Sequence, residues 1–76
     1  MQEKIATLLK TVNGKELVTD FDMDLFENVM LDSLGIAQLI AEIESNFDLE
    51  IDPEDIVPEN FSTINEIVNL IRKVKG

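Results

Sequence analysis

The sequence contains no cysteine, no histidine, no tryptophan and no tyrosine. Without cysteine there is neither a disulfide framework nor a thiolate metal site. Without histidine, a serine nucleophile has only carboxylates and lysines to call on as a general base. Aromatic residues make up 5% of the chain and hydrophobic residues 45%, a balance that favours packed aliphatic helices over a sheet. Bases are scarce too, 6 Lys and Arg against 16 Asp and Glu, for a formal net charge of -10. Such a surface repels nucleic acid and anionic membranes and suits basic protein partners. No apolar run approaches the length of a membrane span, and "MQEKIATLLK" lacks the basic region, apolar core and cleavage site of a secretory leader. The expectation is a cytoplasmic protein that does not insert into a membrane. At 76 residues it reads as a single domain, 1–76, monomeric and without a deep cleft.

Hydrophobic spacing supplies the elements. Ile5, Leu8, Leu9 and Val12 share one helical face, and Asn13 and Gly14 end that helix. From Lys15 to Asp32 the periodicity fades, yet Leu17, Val18, Phe21, Leu25, Phe26, Val29 and Met30 remain apolar. This stretch reads as a long ordered crossover lying on the core, since its side chains need burial. A second helix starts at Asp32 or Ser33, with Ile36, Ile40, Ile43 and Phe47 as its buried stripe and Leu39 beside them. In "DPED", Asp52 suits an N-cap and Pro53 the first helical position of a short third helix, which Pro58 stops. Thr63 with Glu66 has the form of a capping box opening a last helix, whose apolar face is Ile64, Ile67, Val68, Ile71 and Val74. The expected fold is an all-α four-helix bundle with a short third helix and a long loop between helices one and two.

Two stretches hold chemistry worth weighing. Asp20, Asp22 and Asp24 match the first ligands of a calcium-binding EF-hand loop, but Leu25 stands where that loop needs Gly and Leu31 where it needs Glu, so the acids read as the solvent side of the crossover. The other stretch is "MLDSLG", Met30 to Gly35. Asp32 is adjacent to Ser33, but sequence neighbours on a helix point in different directions, so nucleophilic catalysis is unsupported. Spacing alone favours helix capping, because Ser and Asp both serve as N-caps. Against that, Ser33 stands at a helix start, where a phosphate is favoured, and Leu34 falls outside the apolar stripe. A hydroxyl, a helix terminus and a surface leucine together suggest docking.

"LDSLG" at residues 31–35 resembles the attachment motif of the acyl, peptidyl and D-alanyl carrier proteins, in which the serine receives 4′-phosphopantetheine. The likeness covers essentially the whole chain. "DLFENVMLDSLGIAQLIAEIESNFDLEI" resembles the family's central stretch and "PENFSTINEIVNLI" its last loop and helix. The resemblance implies an acyl-carrier-protein-like fold and a stand-alone carrier, not an enzyme, with Ser33 holding the arm through a phosphodiester and substrate riding as a thioester on the arm's thiol. It implies a phosphopantetheinyl transferase as partner, a loading adenylation enzyme or acyltransferase, and a downstream acceptor or condensing enzyme. Asp32 would be read by the transferase, Leu34 would be an apolar contact for partners, and Glu42 and Glu44 would steer basic surfaces, although these two acids also read as a plain solvated face. "SLGIAQLI", with Gly35 and Gln38 where fatty-acid carriers usually place acids, resembles D-alanyl and other amino-acid carriers, so that cargo ranks ahead of fatty-acyl or polyketide cargo. "FDLEIDPEDI" looks more like the fatty-acid or polyketide type. The competitor from another class is an unmodified acidic adaptor in which Ser33 is a helix cap.

Overall fold

A computed structural model describes residues 1–14 and 16–75; Lys15, where the expected crossover begins, and Gly76, the end of the expected domain, lie outside the described residues. The described chain is all-helical: α1 (Gln2–Asn13), α2 (Ser33–Phe47) and α3 (Ile64–Lys75), with two 3₁₀ turns, Pro53–Asp55 and Pro58–Phe61, between α2 and α3.

Helix α1 buries Ile5, Ala6, Leu8 and Leu9 and stops at Gly14, whose φ of 67° sends its N–H back to Lys10 O. Glycine takes this left-handed cap without the Cβ clash that other residues meet. Helix α3 buries Ile64, Ile67, Val68, Leu70 and Ile71, and its start is fixed by Thr63, whose Oγ1 accepts the Glu66 N–H at 3.0 Å. Both helices follow the sequence spacing. In α2 the fully buried line is Gly35, Leu39 and Ile43, while Ile36, Ile40 and Phe47 are half-buried at the margin of the core. The expected stripe was therefore rotated: Leu39 lies at its centre and three of its four members at its edge.

The expected short third helix is instead the pair of 3₁₀ turns. Asp52 caps the first as anticipated, its Oδ1 accepting the Glu54 N–H at 2.9 Å. Pro58 then holds Val57 extended, at φ -127° and ψ 150°, which leaves no room for an α-helical turn between the prolines. Phe61 from the second turn is fully buried and closes the core beneath α3.

The crossover is ordered against the core in part. Val18, Leu25 and Leu31 are buried, whereas Leu17 and Val29 are exposed. Two backbone bonds tie it to the start of α3, Leu25 N–H to Ser62 O at 2.8 Å and Asn65 N–H to Phe21 O at 3.1 Å. Its three aspartates are spent separately. Asp20 Oδ1 accepts the Asp22 N–H, Asp22 Oδ1 accepts the Asn65 amide, and Asp24 Oδ1 caps a single helical turn by accepting the N–H groups of Phe26 and Glu27. That turn ends in a Schellman arrangement, Met30 N–H to Leu25 O and Val29 N–H to Phe26 O, with Val29 left-handed at φ 58°. Among the described residues, no group of three or more His, Cys, Asp or Glu side chains is placed to hold a metal ion.

Candidate functional site

The site is built where the crossover feeds α2. Asn13, the last residue of α1, donates from Nδ2 to Met30 O at 3.1 Å and fixes the backbone two residues ahead of Asp32. Leu31 is buried and anchors the chain on the core. Asp32 then adopts an extended conformation, φ -132° and ψ -177°, and is the N-cap of α2: its Oδ1 accepts the Gly35 N–H at 2.7 Å. A carboxylate at this position satisfies one of the orphan N–H groups and lies favourably at the positive end of the helix dipole.

Ser33 is consequently the first helical residue and not the cap, which corrects the reading that spacing alone favours. It is exposed, and among the described residues nothing pairs with its Oγ. Gly35 makes this geometry possible. A Cβ there would lie 3.1 Å from both Asp32 Oδ1 and Leu31 Cδ1 and 3.7 Å from Val12 Cγ1. Any side chain would push at once on the capping carboxylate and on the packing of α1 against α2.

Leu34 is 68% exposed, as its place outside the apolar stripe implies. It forms one wall of a shallow groove of about 210 Å³ between the end of α1, the crossover and the first turns of α2, with Val12, Val29, Met30 and Gln38 among the other lining residues. The residues flanking Ser33, Asp32 and Leu34, both line it. Sequence reasoning missed this groove because Val29 and Met30 sit in the stretch without periodicity. One signal was available: Asp24 followed three residues later by Glu27 is a helix-start pattern and would have revealed the turn that delivers them.

The remaining expected site residues are further along α2. Glu42 is half-exposed, and its backbone carbonyl accepts from Asn46 Nδ2 at 2.7 Å. Glu44 Oε2 accepts the Ile51 N–H at 3.0 Å, so this carboxylate holds the chain leaving α2. The structure thus brings Asp32, Ser33 and Leu34 together and places Glu42 and Glu44 two to three turns away, with Glu44 in a structural bond.

Among the described residues, no base is hydrogen-bonded to Ser33 to activate it. What it offers is a free primary hydroxyl on a capped helix start, beside N–H groups of the first turn and with no acidic residue in that turn. This arrangement suits a phosphate ester better than an acyl-enzyme, and the phosphodiester end of a phosphopantetheine arm fits it.

Comparisons with known proteins agree with this chemistry. Residues 2–71 match the family described as "Phosphopantetheine attachment site". The chain is 38% identical over 76 residues to the D-alanyl carrier protein of Lactococcus lactis subsp. lactis, covering 99% of this chain and 96% of that protein. It is 30% identical over 76 residues to the D-alanyl carrier protein of Enterococcus faecalis, covering 99% and 97% of the two chains. To the D-alanyl carrier protein of Leuconostoc mesenteroides subsp. mesenteroides it is 28% identical over 76 residues, covering 100% and 97%. The cofactor is 4′-phosphopantetheine, covalently attached, and a carrier of this kind works with partner enzymes such as a transferase and a ligase. No helix among the described residues is long and apolar enough to cross a membrane. By its match over nearly the whole length and by the geometry at the head of α2, the chain belongs to the phosphopantetheine-dependent carrier protein family.

Proposed function

We propose that Ser33 is the attachment residue and that the protein shuttles an aminoacyl group, D-alanine first among the candidates, between cytoplasmic partner enzymes, without catalysis of its own. The observation that carries this reading is the exposed Ser33 Oγ, without a partner among the described residues, on a helix whose cap is supplied by Asp32. In the attachment step Ser33 Oγ bonds to the pantetheine-side phosphorus of coenzyme A, the pyrophosphate bond breaks, adenosine 3′,5′-bisphosphate leaves, and the hydroxyl proton passes to the transferase. Once attached, the arm supplies the thiol that holds cargo as a thioester. Phosphate at the first turn of α2 gains about 0.3–1 kcal/mol from the dipole, partly offset by the Asp32 carboxylate.

Asp32 positions the serine by capping, Leu34 offers an apolar contact to partners, and Glu42 contributes steering of basic surfaces. Glu44 shares that role only through the face it leaves exposed, since one oxygen is engaged by Ile51 N–H. Small cargo is supported by the D-alanyl relatives and by a core in which Leu39, Ile43, Phe61, Ile67 and Ile71 are fully closed to solvent. The loading partner on this reading is an adenylation enzyme, with an acyltransferase as the alternative, and delivery is to a downstream acceptor. A fatty-acyl or polyketide carrier would deliver to a condensing enzyme.

Intact-protein mass spectrometry after incubation with coenzyme A and a broad-specificity phosphopantetheinyl transferase tests the assignment. A single phosphopantetheine addition, absent in Ser33→Ala, is expected. An addition that survives Ser33→Ala, or no addition to folded protein by a transferase active on another carrier, overturns it. Adding D-alanine, ATP and a D-alanine-activating enzyme to the modified protein should give a second gain in mass, abolished by hydroxylamine as a thioester requires.

A further inference from the structure

Val29 and Leu34 are the most exposed large apolar side chains among the described residues, at 67% and 68%, and they line the same groove. Chance exposure explains single residues of this kind better than two that line one groove. Val29 is also out of place in its backbone. It occupies the left-handed position of the Schellman turn, φ 58°, where glycine or asparagine is favoured and a β-branched residue is strained. Strain of this sort persists where a side chain is needed at that spot.

The rest of the lining has a definite chemical character. Val12 and Met30 add apolar surface at the base, Gly35 keeps the floor open, and Gln38 stands one turn beyond Leu34 on the same face of α2. Gln38 is exposed, and among the described residues its carboxamide has no partner. The groove therefore offers branched aliphatic walls and an amide group able both to donate and to accept. Its volume of about 210 Å³ is below the roughly 300–1,000 Å³ of sites that enclose a drug-sized ligand.

We propose that this groove is the resting seat of the proximal half of the protein's own phosphopantetheine arm, folded back from Ser33. The inference rests on Ser33 being the attachment residue. The gem-dimethyl group of the arm packs between Val29 and Leu34, and the first amide meets the Gln38 carboxamide. The distal amide and thiol extend past the groove, which is too small for the whole arm. Tethering favours this occupant: both sequence neighbours of Ser33 line the groove, so the arm is held at its rim and meets it at high effective concentration. A side chain of a partner enzyme is the rival occupant, and it would find the groove in competition with the arm.

The test compares unmodified and modified protein by NMR, with the extent of modification read by mass. In the modified protein, gem-dimethyl protons should show cross-relaxation with Val29 and Leu34 methyls, and the Gln38 side-chain amide should shift. Leu34→Ala, at an exposed site, and Val29→Gly, which suits the left-handed backbone, both leave the fold intact. Each should weaken these contacts, and together they should abolish them. Shifts confined to Asp32, Ser33 and Leu34 with no contact from the gem-dimethyl protons, or contacts on the α3 side of α2, overturn the proposal while leaving Ser33 as the attachment site. A mass that does not change overturns both.

Discussion

The two ends of α2 are built on opposite plans. At its C-terminus Asp48 turns left-handed, φ 52°, and returns its N–H to Glu44 O, while Glu44 Oε2 takes the Ile51 N–H. Lys75 from the end of α3 donates to Phe47 O at 2.9 Å, and Lys4 from α1 lies 5.4 Å from the centroid of the Phe47 ring. Two other helices and the segment that leaves α2 thus hold that end. At the N-terminus only the backbone behind Ser33 is fixed, by Leu31, Asp32 and Asn13, and the side chains ahead of it, Ser33, Leu34 and Gln38, face solvent. One end of the helix is secured so that the other can be presented without the helix moving. With Ser33 as the proposed attachment residue, the contrast places rigidity and accessibility on a single element.

The contrast is broken most severely at the centre. Leu39→Ala removes a fully buried side chain from the middle of the core line, and a loss of about 2–5 kcal/mol in unfolding free energy is expected. Leu34→Ala, five residues earlier in the same helix, should stay within about 0.5 kcal/mol of the parent. Urea titrations of the two variants check this directly. Equal effects would mean that α2 is rotated relative to the structure, with Leu34 packed as closely as Leu39.

That rotation is also where reading the sequence reached its limit. The start of α2, the Gly14 stop of α1 and the Thr63 start of α3 were legible because each depends on one or two residues with strong local preferences. The choice between Ile36/Ile40 and Gly35/Leu39 as the central line was not, because an aliphatic run on adjacent faces leaves the periodicity degenerate and only contact with α1 and α3 resolves it. Gly35 illustrates the reason: its place in the core is set by Leu31 and Val12, neither of which is in α2. The prolines announced an interruption after α2, yet whether the segment between them forms an α or 3₁₀ turn depends on the five-residue spacing from Pro53 to Pro58 rather than on propensity. Ser33 and Leu34 were legible as exposed neighbours at the head of α2; the groove beside them was not, since Val29 was expected to be buried with the rest of the crossover.

Asp32 sharpens the comparison at the presented end. Asp32→Ala removes the cap and should cost about 0.5–2 kcal/mol, whereas Asp32→Asn retains an accepting oxygen and should cost little. If Asp32 served only the fold, phosphopantetheine addition to Asp32→Asn would proceed at the parent rate. If the carboxylate is itself read by the transferase, Asp32→Asn slows addition while its denaturation midpoint remains near that of the parent. Rate by mass spectrometry and stability by urea, measured on the same pair of variants, separate the two.

The smallest expected effect is at the secured end, where the charges lie on the surface. Lys4→Ala loses a cation over an aromatic ring at an exposed site, about 0.5–1 kcal/mol. Because the chain already has a formal net charge of -10, part of that loss would follow from removing any lysine. A double-mutant cycle with Phe47→Leu separates the contributions: the ring-specific share disappears when the ring is gone, and the general charge share remains. The coupling should shrink as salt is raised, in keeping with its exposure. Throughout the cycle, the rate of modification at Ser33 should not change, because the backbone at the head of α2 is held by Asp32, Leu31 and Asn13 independently of Phe47. A fall in that rate would show that loosening one end of α2 is felt at the other, and that the two ends are not the separable devices their contacts describe.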